Sequence, residues 1–168
     1  VANGLYAVAS GIDTTASAPG AHASGIDTTA SAPGVHAEGI DTTASDTAAH
    51  AEGIETTASA VAAHAEGGLT TASGDYSSAT GYRAKAIHNG ARVEADSQNA
   101  DASSTTTDQF TGRFQNGFRF LGGNIQVTPS TPASATATGT AGQIAVDANY
   151  IYICTATDTW KRVAVSTW

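Results

Sequence analysis

Glycines at 11, 25, 39, 53, 67 and 81 are spaced by fourteen residues without exception. Ala16, Ala30, Ala44, Ala58 and Ala72 keep the same interval, and each is followed by Ser. Near-identical decapeptides mark the copies: HASGIDTTAS at 22–31, HAEGIDTTAS at 36–45, HAEGIETTAS at 50–59 and HAEGGLTTAS at 64–73. A fixed period of this kind means a chain that stacks copies of one unit, each burying its faces against its neighbours. Disorder, the other reading of an Ala/Thr/Ser/Gly-rich chain, gives no reason to hold a period.

A half-period of seven lies beneath. From residue 63 the chain reads AHAEGGL, TTASGDY, SSATGYR, that is small–x–Ala–x–Gly followed by two turn residues. A coiled coil is excluded: no Leu or Ile pair recurs at a and d, and Gly occupies the fifth position. A strand of about five residues and a tight corner fit instead. Alternation then sends Ala49, Ala51 and Gly53 to one side and His50 and Glu52 to the other, with Thr56, Ala58 and Ala60 opposing Thr57 and Ser59. Small residues face inward, polar ones outward, and Gly supplies positive φ at the corner. Two strands and two corners make one turn of a parallel β-roll or β-solenoid, and about seven turns fit between roughly residues 4 and 101, the turns about 4.8 Å apart.

Residues 1–82 hold nine acids and no Lys or Arg, whereas all seven bases follow within a chain of net charge −8. Such a half repels phosphate backbones and anionic lipid, so neither nucleic acid nor membrane insertion is expected. No apolar run approaches the ~20 residues of a membrane helix. Val1 in place of Met reads as a processed or trimmed start, with no signal peptide in view. The single Cys154 leaves no intramolecular disulfide or multi-Cys metal site.

The small–x–Ala–x–Gly heptads, doubled into fourteen-residue coils, resemble the head repeats of trimeric autotransporter adhesins and of bacterial and phage fibre proteins that share that head. The resemblance spans roughly residues 4–101 and implies a left-handed parallel β-roll in a homotrimer that displays a binding surface. This chain departs from it in carrying His/Glu and Thr/Ser where Val and Ile are frequent beside the central Ala.

The repeat decays after Ser97. SQNADASSTTTD is a polar connector, and QFTGRFQNGFRFLGGNIQVTP brings in all four Phe residues (110, 114, 118, 120) around Asn116-Gly117, a hairpin signal. PSTPASATATGTAG (129–142) has linker composition. Strands at Ile144–Val146, Tyr150–Cys154 and Trp160–Val165 make a terminal three-stranded meander that resembles a small β-cap of phage virion and tail-fibre proteins. The expected organisation is β-roll at 1–101, connector and aromatic hairpin neck at 102–128, linker at 129–142, and β-cap at 143–168. The cap, with Trp160 and Trp168, is expected to pack across chains.

His22, His36, His50 and His64 would stack one per turn, with Glu38, Glu52 and Glu66 two residues on. Imidazole and carboxylate are metal ligands, but rings ~4.8 Å apart with no fixed third ligand do not make a closed site. The row therefore reads as a surface display face (His36, Glu38, His50, Glu52, His64, Glu66), with no cofactor expected. Thr15/Ser17, Thr29/Ser31, Thr43/Ser45, Thr57/Ser59 and Thr71/Ser73 form a second ladder that resembles the Thr rows of ice-binding solenoids, with Ser in place of the second Thr. Asp13, Asp27 and Asp41 read as turn residues, because the Gly-Gly-x-Gly-x-Asp calcium nonapeptide is missing.

After each periodic Gly stands one large residue: Ile12, Ile26, Ile40 and Ile54, then Leu69 shifted by one, then Tyr82. An interior of Ala and Ser has no room for Ile at its corner, so these side chains point outward, and a stripe of them calls for cover. The expectation is that they line a trimer axis. Catalytic triads need one unique buried trio, and here His, Ser and Asp recur as repeat positions. The sequence thus reads as a non-enzymatic structural or adhesive fibre at a cell or virion surface, a homotrimer able to join end to end and to meet a receptor. A phage tail or head fibre is the alternative within that class, an ice-binding solenoid the alternative outside it, and a polysaccharide depolymerase ranks third.

Overall fold

The structure, a computed structural model, describes residues 1–122 and 124–167. Gly123 of the expected neck and Trp168 of the expected cap lie outside the described residues. Every regular element described is a strand. Two compact units are formed, Val1–Phe118 and Arg119–Trp168.

The first unit is a parallel β-solenoid of about eight turns. Five-residue strands β1 (Val8–Ile12), β3 (His22–Ile26), β5 (His36–Ile40), β7 (His50–Ile54), β9 (His64–Gly68) and β11 (Ser78–Tyr82) alternate with short ones. The short strands are β2 (Thr15–Ala16), β4 (Thr29–Ala30), β6 (Thr43–Ala44), β8 (Thr57–Ala58), β10 (Thr71–Ala72) and β12 (Ala84–Ala86). Three strands follow, β13 (Arg92–Ala95), β14 (Ala102–Ser103) and β15 (Phe110–Arg113). Odd-numbered strands β1 to β15 form one eight-stranded sheet and even-numbered strands β2 to β14 a seven-stranded one. From β1 to β13 each pairs with its counterpart fourteen residues on: His22 with His36, His36 with His50, Thr43 with Thr57.

The interior explains why small residues recur. Ala23, Ala37, Ala51, Ala65, Ala79 and Val93 from one sheet meet Ala16, Ala30, Ala44, Ala58, Ala72 and Ala86 from the other, all fully buried. Methyl groups leave the sheets close together and bury little apolar area per turn, so backbone ladders between turns carry much of the cohesion. The periodic glycines are fixed by sterics as well as by φ. Gly39 has φ 130°, and a Cβ there would stand 1.9 Å from the carbonyl oxygen of Gly53 in the next turn. The corner itself falls on the left-handed residues Asp13, Asp27 and Asp41 (φ 52–54°), a conformation Asp accepts through local hydrogen bonding.

Three differences from the sequence reading concern boundaries. The solenoid does not end near 101: β14 pairs with β12, and β15 with β13, now eighteen residues apart (Ala84 with Ala102, Arg92 with Phe110). The four added residues form a loop held by Arg113, whose guanidinium donates to the carbonyls of Tyr82, Asp96, Gln98 and Ala100 and to Asp96 Oδ1. Second, Asn116-Gly117 makes a turn (Gly117 N to Phe114 O, 2.9 Å), but β15 has no hairpin partner among the described residues. The Phe118 ring instead covers Gly112, in edge contact with Phe114 at 4.8 Å between centroids. Tertiary pairing with β13 outcompetes the local hairpin.

Third, residues of the expected linker lie along a sheet. The second unit holds β16 (Ile144–Val146), β17 (Tyr150–Ala156) and β18 (Thr159–Ala164) in antiparallel order β16-β17-β18. Ser130 N donates to Val146 O, Trp160 N to Ala135 O and Asp158 N to Gly139 O, at 2.8, 2.8 and 3.0 Å. Pro/Ser/Thr/Ala composition reports a lack of large side chains, not a lack of backbone partners. One face of the sheet buries Ala145, Tyr152 and Cys154, while Ile144, Ile151, Ile153 and Val163 on the other are exposed.

Candidate functional site

The long strands present the most regular surface of the solenoid. Register places His22, His36, His50 and His64 in one column, with rings at 4.8 Å spacing. His36, His50 and His64 stack nearly parallel (9° and 7°), whereas His22 is tilted by 33° from His36. The tilt has a local counterpart: Ser24 stands where the next three turns have Glu38, Glu52 and Glu66. In those turns His Nε2 lies 3.4, 3.5 and 3.4 Å from Glu Oε2 of its own strand.

The rings are half-buried and the carboxylates exposed. His50 sits mid-column, and its pKa is lowered, first by burial and then by His64 and His36, against the opposing pull of Glu52. The column therefore disfavours simultaneous charging of neighbours. Among the described residues no group of three or more His, Cys, Asp or Glu side chains is placed to hold a metal ion. Chemically the face offers a column of imidazoles beside a parallel column of carboxylates.

The apolar column lies two residues further along the same strands. Ile12, Ile26, Ile40 and Ile54 pair in register and are 62, 39, 41 and 53% exposed. Leu69 does not continue it. Gly68 pairs with both Ile54 and Tyr82, and Leu69 falls on the left-handed corner (φ 56°), in line with Asp41 and Glu55. The duplicated Gly67-Gly68 keeps the register and drops the side chain, so the stripe runs Ile12, Ile26, Ile40, Ile54, gap, Tyr82. On the short strands Thr15, Thr29, Thr43, Thr57 and Thr71 are half-buried, and the serines two residues on are exposed.

No protein-family model matches the chain. Two phage proteins share short stretches with it. A capsule K30/K69-specific depolymerase of Klebsiella phage K64-1 is 57% identical over 47 residues, 27% of this chain and 6% of that protein. A capsule K30/K69-specific depolymerase 1 of Klebsiella phage K5-2 is 52% identical over 40 residues, 24% of this chain and 5% of that protein. The chain thus matches only a small fraction of the length of these relatives. The finding corrects the reading of the chain as non-enzymatic, since both relatives are named as enzymes that depolymerise capsule. Repetition of every candidate side chain argued against a local triad, but a repeat segment can belong to a larger protein that is an enzyme.

Proposed function

We propose that this chain is a segment of a phage virion-surface fibre, of the kind that carries capsule-depolymerase activity. The observation that carries the reading is more than 50% identity to two capsule depolymerases over 40 residues or more, in a chain that folds as a β-solenoid. A solenoid supplies length and stiffness, since each turn rests only on its neighbours. The His/Glu face is the display surface in this reading, and capsule polysaccharide is the partner. A phage fibre accounts for the relatives better than a bacterial adhesive filament does.

Three chains pack around the Ile12–Ile54 stripe in this reading, as in the adhesin-type heads that the heptads resemble. Burying each Ile contributes roughly 1.5–3 kcal/mol, and an exposed row of four is the kind of patch that isolated soluble chains avoid. The small sheet of the second unit, with its uncovered Ile144, Ile151, Ile153 and Val163, acts as a clamp across chains.

The test is to mix purified chain with capsular polysaccharides from a panel of Klebsiella strains. New reducing ends and falling viscosity would place depolymerase activity in this segment. Binding without cleavage would assign it the fibre role within a larger enzyme. Neither binding nor cleavage with any capsule would overturn the proposal.

A further inference from the structure

The second unit holds a cleft of about 460 Å³ beside β18, lined among others by Thr131, Ser134, Tyr152, Trp160, Lys161 and Arg162. Its walls are fixed. Trp160 donates through its backbone to Ala135 O (2.8 Å) and through Nε1 to Ala137 O (3.0 Å). The indole lies so close to Gly139 that a Cβ there would meet it at 2.7–2.8 Å. Gly139 N donates in turn to Asp158 Oδ1 at 2.9 Å. Both ends of the 130–139 segment are thereby tied to the sheet.

The cleft carries one cation, Arg162, without a carboxylate partner; Lys161 pairs with Ile153 and so points to the opposite face, with Ile151 and Val163. In the solenoid, Arg83, Arg92 and Arg113 each pair with an acid, Asp101, Glu94 and Asp96 respectively. Among the described residues no acid pairs with Lys161 or Arg162. Arg162 instead lies over the Tyr150 ring, 4.1 Å from its centroid, and faces Tyr152 across the strand pair. Asp147, a nearby acid, is already occupied: it accepts from Tyr152 Oη (2.6 Å), Thr131 Oγ1 (3.1 Å) and the backbone N–H groups of Asn149 and Tyr150 (2.8 Å each).

A guanidinium with no acid partner, an immobilised indole and hydroxyls in one concavity specify the ligand by chemistry. The guanidinium calls for an anion and is already oriented by its stacking on Tyr150. An aromatic face beside hydroxyls suits a ring that has an apolar C–H face and a polar edge, that is, a sugar. The volume lies at the small end of the ~300–1,000 Å³ range of ligand clefts, which fits one or two rings. Nucleic acid is a poor match, because a chain of net charge −8 repels a long phosphate backbone.

We propose that this cleft binds an acidic saccharide unit, its carboxylate held by Arg162 and its ring set against Trp160. The site goes beyond the fibre reading and does not rest on it. Its assay requires neither cleavage nor a capsule.

The test is an NMR titration of the purified full chain that follows the Trp160 indole N–H. The probes are digalacturonate, the neutral disaccharide lactose, and sodium sulfate. Digalacturonate is expected to move the resonance to saturation with Kd on the order of 1 mM, and lactose to bind roughly tenfold more weakly. Arg162→Gln is expected to weaken digalacturonate binding about five- to tenfold, and Lys161→Gln, on the opposite face of the sheet, to leave it unchanged. Arg162→Lys keeps the charge and is expected to lose less than Arg162→Gln. Unchanged resonances outside the cleft check that each variant is folded. Four results would each overturn the proposal: a stationary Trp160 with every probe, equal affinity for lactose, equal affinity for sulfate, or an Arg162→Gln variant that binds digalacturonate as the parent does.

Discussion

The ring of Tyr82 lies against Gly68, its Cδ2 3.2 Å from the point where a side chain at 68 would begin. Gly68 interrupts the isoleucine column, and the aromatic ring of the following turn covers the interruption. The two residues are cross-strand partners, so the cover is built into the sheet register. A methyl at 68 asks a side chain to shift by a few tenths of an ångström. A methyl at Gly39 would meet a backbone carbonyl at 1.9 Å, with φ at 130°. Gly68→Ala is expected to change stability by no more than about 1 kcal/mol, and Gly39→Ala to cost about 3 kcal/mol or more. Thermal melting of the two variants side by side checks the contrast, and equal melting temperatures would refute it.

A second expectation concerns the interior hydroxyls. Thr28, Thr42, Thr56 and Thr70 are buried, and their Oγ1 atoms make no hydrogen bond among the described residues. A buried polar group left unpaired costs about 1–3 kcal/mol. Val matches Thr in shape, so Thr42→Val and Thr56→Val should each raise stability by about 1 kcal/mol. Denaturant unfolding reads this directly, and a loss for both variants would show that the hydroxyls are satisfied within the fold.

The histidine column should make stability depend on pH. Because His50 is held below its ordinary value of about 6.5, the unfolded chain takes up its proton first. Stability is therefore complete above about pH 6.5 and falls as pH drops from there towards the folded value. The neighbours His36 and His64 oppose the charge, and Glu52 partly offsets them. Melting temperature should fall between about pH 7 and pH 5, and His50→Gln should shrink that fall. A variant with the same slope as the parent would remove His50 as its source.

Asp147 titrates in the opposite sense. The Tyr152 hydroxyl, then the N–H of Asn149, lead the interactions that hold its carboxyl at about 2. The ionised form is thus favoured by folding, and its contribution is present above the unfolded value near 4 and is lost as pH falls towards about 2. Near-UV circular dichroism of the tyrosines should report loosening of the second unit in that window. Asp147→Asn should weaken the unit already at neutral pH, and an unaltered melting curve would contradict the role.

Assembly about the isoleucine stripe predicts a further result. Replacing Ile26, Ile40 and Ile54 together with Ser should convert trimers to monomers or aggregates in sedimentation experiments. Intact trimers of unchanged melting temperature would place the axis elsewhere.

The solenoid was legible because its determinants are local and repeated. Ala37 and Ala51 are forced inward by alternation, and Gly39 is forced to be Gly by a neighbour that is itself a copy. The end of the solenoid was not legible. Ala102–Ser103 is a two-residue strand with no pattern to detect, and β15 is chosen by β13 across an eighteen-residue step. Leu69 misled because spacing alone cannot tell an insertion from a substitution. The folded 130–142 segment was hidden because its contacts are mostly backbone ones, and the alternate residues Trp160 and Arg162 were the signal that could have marked the cleft. The link to depolymerases rests on identity over about 40 residues and on nothing that periodicity could reveal.

Near-identical partners in the long strands from β3 to β9 also bear on how such a gene changes. Tandem copies recombine out of alignment, and each event adds or removes whole turns. The flanking turns meet the same edge before and after, so a shortened or lengthened rod needs no compensating substitution at its ends. Reach then becomes a trait that can vary between closely related lineages while every contact type stays the same.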